Sequence, residues 1–90
     1  MNKSELISDV AAKAGMTKKD VEKILGSLFS SIEEALKNDD KVQLVGFGTF
    51  EVRNRKARTG RNPQTGEEIQ IPASRVPAFK AGKTLKEKVV

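Results

Sequence analysis

The sequence predicts an α+β fold: helices over the first 38 residues, an antiparallel sheet that runs out into a long hairpin, and a short closing helix. Three observations predict it. Apolar residues recur at helical spacing as far as about Lys37. After Asn38-Asp39-Asp40 the pattern changes to alternation. Between Arg53 and Arg61 hydrophobic residues vanish except for Ala57, while five cations (Arg53, Arg55, Lys56, Arg58, Arg61) crowd into nine residues.

Asn2 with Glu5 three residues on has the form of a capping box, Asn standing for the commoner Ser or Thr. Leu6, Ile7, Val10, Ala11 and Ala14 then mark one helical face, and Gly15 ends the helix. Thr17 with Asp20 signals a second start. Its stripe of Val21, Ile24, Leu25, Leu28, Phe29, Ile32, Ala35 and Leu36 is wider than the first helix covers, so part of it is expected to face another subunit. Gly26 inside this helix costs about 1 kcal/mol relative to Ala, unless a close helix approach requires the missing side chain.

Lys41 to Val45 reads as a short strand and Gly46-Phe47-Gly48 as a turn. From Thr49 a second strand follows, with Phe50 and Val52 on one face. Gly46-x-Gly48 could suggest a phosphate-cradling loop, but the third glycine and the following helix are missing, so the pattern favours a hairpin turn. Asn62 to Gly66 is a turn. The return run Glu67 to Val76 carries Ile69, Ile71 and Val76, with Pro72 and Pro77 marking edge or bulge positions. The result is a two-stranded arm over residues 53–76. At about 3.4 Å per residue it reaches roughly 30 Å, beyond any core this chain supplies, and its tip is expected to be mobile until something binds it. Gly82 precedes the last helix, residues 82–90, with Leu85 and Val89 as its apolar pair.

A chain of 90 residues is one domain, residues 1–90, with a helical dimerisation region at 1–38 and a sheet region at 41–80. A domain of this size buries only roughly 60% of its unfolded surface. Without Cys or His it has neither disulfides nor a zinc site to compensate, so oligomerisation is the expected source of further burial. The same absence removes the usual nucleophiles and acid–base groups. Glu33-Glu34 and Asp39-Asp40 are adjacent in sequence and do not form a carboxylate pair on one helical face. No enzyme activity, cofactor, metal or small-molecule substrate is expected. MNKSELISDV lacks the features of a secretory signal and no apolar run spans a bilayer, so a cytoplasmic protein without a membrane partner is expected.

Charge divides the chain. Residues 1–50 hold seven Lys/Arg against eight Asp/Glu, and residues 51–90 hold ten against four. A basic half calls for a polyanion. Charge on an exposed strand also guards against edge pairing, but one or two cations suffice for that. Arg side chains suit phosphates and the narrow minor groove, and an inserted proline can part a base step. Arg55, Arg58 and Arg61 are expected to follow the groove, with Pro63 as the wedge; taken alone Pro63 reads first as a turn residue, and its place beyond an Arg-rich ribbon is what raises the wedge. All four Phe lie outside the arm and no Trp or Tyr exists, which favours duplex DNA over single strands or RNA, whose binders stack bases on aromatic side chains. Asn54, Asn62 and Gln64 are the few side chains near the tip able to read base edges, so little sequence preference is expected, with bent, nicked or gapped DNA bound best. Two other readings stand beside this one. Residues 10–25 scan like a helix-turn-helix, implying a sequence-specific regulator, and the charge also fits an RNA-binding protein.

The segments GFGTFEVRNRKARTGRNPQTGEEIQIP and PAFKAGK resemble the bacterial histone-like DNA-binding proteins, the family of HU and integration host factor, from end to end. Proteins of that family are themselves standard examples of minor-groove architectural binding. The resemblance implies an intertwined dimer with a helical body and two β-ribbon arms that embrace and bend DNA in the nucleoid. The compact length favours a homodimer. By position, Arg53, Arg55, Lys56, Arg58 and Arg61 match the arm cations, Pro63 the intercalating tip, and Lys3, Lys80, Lys83 and Lys86 the flanking body contacts; Asn62 and Arg75 join these candidate DNA contacts. Phe29, Phe47, Phe50 and Phe79 match the aromatic core near the subunit interface, and Leu28, Ile32, Leu36 and Leu44 complete the candidate dimer core. Ala81 stands where relatives often carry Pro.

Overall fold

The computed structural model describes residues 1–90. The chain packs as two units, Met1–Glu34 and Ala35–Val90, divided within the second helix.

In the first unit, helix α1 spans Lys3–Ala14 and helix α2 begins at Lys18 and runs to Lys37. The side chain of Asn2, itself in extended conformation, accepts the Glu5 N–H at 2.8 Å, satisfying one of the donors a helix start leaves free. Gly15 adopts the left-handed conformation (φ 66°) and donates its N–H to the Ala11 carbonyl, which closes α1. Thr17 Oγ1 then accepts the Asp20 N–H at 3.2 Å and starts α2. The core of this unit is small: Ile7, Ala11 and Val21 are buried, with Val10 and Leu25 packed against them. Farther round α2 the apolar residues are open. Ile24, Leu28 and Phe29 are 52%, 45% and 42% exposed. No atom of the chain outside the helix backbone lies within 4 Å of where a Gly26 Cβ would stand, so nothing within one chain requires that glycine.

The second unit opens with the end of α2, built as a Schellman motif. Asp40 N–H bonds to the Ala35 carbonyl at 2.8 Å and Asp39 N–H to the Leu36 carbonyl at 3.1 Å. The left-handed residue this motif requires is Asp39 (φ 58°), where glycine is usual, at a cost of order 1 kcal/mol. Strands β1 (Val42–Leu44), β2 (Gly48–Arg55) and β5 (Ser74–Ala81) form an antiparallel sheet in the order β1-β2-β5. The turn between β1 and β2 falls on Val45–Phe47, with Gly46 at φ 82°, and Gly48 already belongs to β2 opposite Leu44. Phe50 and Phe79 are direct cross-strand partners, their rings 4.9 Å apart, and Phe47 lies 5.7 Å from Phe79. Gly48 makes room for this cluster: a Cβ there would fall 2.4 Å from Phe79 Cζ and 2.7 Å from the Lys80 carbonyl oxygen. Even so the cluster is incompletely covered, with Phe47 49% and Phe79 41% exposed. Helix α3 (Lys83–Val89) starts at Gly82, whose N–H donates to the Phe47 carbonyl at 2.8 Å. No helix is long and apolar enough to cross a membrane.

Beyond the sheet the hairpin continues as strands β3 (Arg58–Arg61) and β4 (Glu68–Ile71). The expected unbroken return run from Glu67 to Val76 is thus divided. Pairing stops after Arg55↔Ser74 and resumes at Arg58↔Ile71. Pro72, which has no N–H for a ladder, lies in this interruption. The pairing offset is the same on both sides of it, from Gly48↔Ala81 to Arg61↔Glu68, so no residue is inserted and Pro72 marks no bulge. Pro77 sits opposite Val52 on β5, an edge strand of its sheet, the position where proline is tolerated.

Candidate nucleic-acid interface

The tip of the hairpin is held by the residues that the turn signal contains. Asn62 Oδ1 accepts the Gln64 N–H at 2.9 Å across Pro63, and the Asn62 carbonyl accepts the Gly66 N–H at 2.7 Å. Gly66 takes the left-handed conformation (φ 72°), and the Asn62 N–H bonds to the Glu67 carbonyl at 2.9 Å to close the loop. Pro63 is therefore both a turn residue and an exposed one at the far end of the arm. Asn62, expected to offer its amide to bases, uses its side-chain oxygen to build the turn that presents Pro63.

Below the tip, Arg55, Lys56, Arg58 and Arg61 are exposed and none is in an ion pair. Arg55, Lys56 and Arg58 line one concave surface at the interruption, together with Ile71, Pro72 and Ser74. Arg53 differs: its Nε lies 3.5 Å from Glu51 Oε1, while Lys41 Nζ approaches Glu51 Oε2 at 3.7 Å. Glu51 was not singled out in the sequence, although its place two residues before Arg53 on a strand puts both on one face. The same alternation separates two of the arginines expected to follow the groove. Arg58 and Arg61 are three residues apart within β3 and so point to opposite faces. Cations on both faces suit a ribbon lying between two phosphate walls better than one resting on a flat surface. Gly60 is a second unforeseen element. A Cβ there would meet Ile71 Cδ1 at 2.9 Å, so its absence lets Ile71 lie across the ribbon, with Ile69 opposite Gly60 in the ladder.

Arg75 is occupied elsewhere. Expected among the DNA contacts, its Nη2 donates to Asp39 Oδ1 at 2.5 Å and to the Leu36 carbonyl at 3.3 Å, at the end of α2. The run Asn38-Asp39-Asp40 signals a helix end, but only the fold shows that β5 passes close to it. Lys80 on β5 and Lys83 and Lys86 on α3 are exposed in the second unit, and Lys3 is exposed in the first. The candidate dimer residues are the ones a single chain leaves uncovered: Leu28, Phe29, Leu44, Phe47 and Phe79 are exposed, and Ile32, Leu36 and Phe50 half-buried. No group of three or more His, Cys, Asp or Glu side chains is placed to hold a metal ion.

A basic β-ribbon with a proline at its tip, set on a small sheet and preceded by two helices, defines an α+β protein with a charged, exposed arm. The chain belongs to the bacterial DNA-binding protein family, whose pattern it matches over residues 1–90. It is 64% identical over 89 residues to DNA-binding protein HU of Geobacillus stearothermophilus, covering 99% of each chain. The same identity relates it to DNA-binding protein HU 1 of Bacillus subtilis, covering 99% of this chain and 97% of that one. Among solved structures it is similar to Anabaena HU co-crystallised with DNA, with a TM-score of 0.90 and 57% identity over 100% of this chain and 98% of that one. HU from Thermotoga maritima matches over the full length of both chains with a TM-score of 0.73 and 47% identity.

Proposed function

We propose that this protein is an architectural, histone-like component of the bacterial nucleoid that binds and bends double-stranded DNA with little sequence preference, acting as a homodimer in the cytoplasm. The observation that supports it best is the arm: four exposed cations free of ion pairs, on both faces of a ribbon that ends in a proline-bearing turn. In this reading Arg55, Lys56, Arg58 and Arg61 line the minor groove and neutralise phosphates on its walls, with Arg53 joining when phosphate displaces Glu51. Pro63 enters a base step and kinks the duplex. Lys3, Lys80, Lys83 and Lys86 meet the phosphates of DNA bent back toward the protein.

A partner chain accounts for the uncovered apolar residues. A protein with three buried hydrophobic side chains and exposed Ile24, Leu28, Phe29, Phe47 and Phe79 gains its missing burial from a second copy. The helix-turn-helix alternative fits poorly, because α2 turns Ile24, Leu28 and Phe29 outward where a recognition helix needs polar side chains. RNA binding finds no aromatic platform on the arm.

The test compares random-sequence, nicked and single-stranded oligonucleotides at several salt concentrations. The expected order is nicked, then intact, then single-stranded, each affinity falling steeply with salt. Strong preference for one duplex sequence would favour the regulator, and preference for single strands would favour the RNA reading.

A further inference from the structure

We infer that Arg75 is a positioning residue of the arm: from the root of the ribbon it clamps β5 to the C-terminal end of α2 and so sets the direction in which the ribbon leaves the sheet. This rests on the DNA-binding reading of the arm. Arg75 is opposite Asn54, one rung before the sheet ladder stops at Arg55↔Ser74. It is therefore the last cation of β5 before the interruption, beyond which the hairpin has only its own two strands to order it.

The other end of the clamp is built for a guanidinium. Asp39 holds a left-handed backbone that glycine fills more easily, and its carboxylate stands at the electronegative end of a 20-residue helix. Both features are unfavourable alone. Arg75 Nη2 answers the second by bridging Asp39 Oδ1 and the Leu36 carbonyl. Leu36 thus accepts from both the Asp39 N–H and Arg75, which joins the helix cap and the strand in one network. The Arg75 and Asp39 side chains are 49% and 65% exposed, so the pair adds little to global stability. Its effect lies in orientation at the one place where the hairpin loses the support of the sheet.

A phosphate ligand and a positioning residue respond differently to substitution. Arg75→Ala and Asp39→Gly, the latter suited to the left-handed backbone, are compared with the double variant in the full-length protein. Amide exchange without DNA is expected to speed up severalfold at Arg53–Arg55 and Ser74–Val76 in both single variants, and no further in the double. On a short nicked duplex, end-to-end energy transfer is expected to show the same broadened bend distribution in all three, with the salt dependence of binding unchanged. The inference is overturned if Arg75→Ala lowers the salt slope by about 0.9 per lost phosphate contact while Asp39→Gly leaves bending intact. It is overturned equally if neither variant alters root exchange or bending. Failure of the wild-type protein to bind duplex in a salt-dependent way would sink the DNA reading instead, and the exchange measurement would still judge the clamp.

Discussion

Replacing Arg55, Arg58 and Arg61 together by Gln tests where the phosphates are neutralised, and the structure sets the size of the effect. None of the three is ion-paired, so none must give up a carboxylate to meet a phosphate. In a dimer the substitution removes six cations. At a slope of about 0.9 per neutralised phosphate, the logarithmic salt dependence is expected to shrink by roughly 5. Over a fourfold rise in salt the variant should then lose about a thousandfold less affinity than the wild type does. Because these side chains are exposed and unpaired, folding stability should change by less than about 0.5 kcal/mol. Arg53→Gln is the internal comparison: with Glu51 already 3.5 Å from its Nε, it should reduce the slope by less than any one of the three. Fluorescence anisotropy on a random-sequence duplex at four or more salt concentrations gives the slopes, with circular dichroism confirming the fold. An unchanged slope in the triple variant would refute the arm as the phosphate-binding element.

Pro63→Ala is expected to reduce DNA bending, read by energy transfer between the duplex ends, more than it reduces affinity; equal bending would dismiss the wedge. Gly48→Ala is expected to destabilise the protein by about 2 kcal/mol per chain. Its Cβ would collide with the Phe79 ring and the Lys80 carbonyl, and overpacking costs about 1–3 kcal/mol. Thermal melts at fixed protein concentration measure this, and a loss below about 0.5 kcal/mol would show that the aromatic cluster adjusts freely. Leu28→Lys should convert dimer to monomer, seen by analytical ultracentrifugation. Its 45% exposure in one chain leaves room for the lysine there, so a persistent dimer would place the interface elsewhere.

What reads directly from the residues is what local physics controls. Asn2 and Thr17 start their helices and Gly15 ends the first as expected, because a cap depends only on neighbours within a few positions. The arm was legible for the same kind of reason. A stretch without hydrophobic residues belongs to no core, and Asn62 to Gly66 contains the chemistry of its own turn. The break at Lys56-Ala57 was half legible: Pro72 announced an irregularity, but a bulge and a plain interruption look alike until the pairing offset is seen on both sides.

The partnerships of charged groups belonged to the tertiary structure. Arg75 is as basic in sequence as Arg58, yet it is held at the end of α2 while Arg58 stands free of ion pairs. Composition counts charges, but pairing depends on which segments the backbone brings within 4 Å. Residues 36 and 39 in sequence separation, as Arg75 is from Asp39 and Leu36, meet only because the sheet returns past the helix end. The same holds for the Phe cluster and for the glycines at 48 and 60, whose missing side chains are read by atoms from a neighbouring strand. Alternation along a chain tells which residues share a face, whereas only the folded arrangement tells what that face meets.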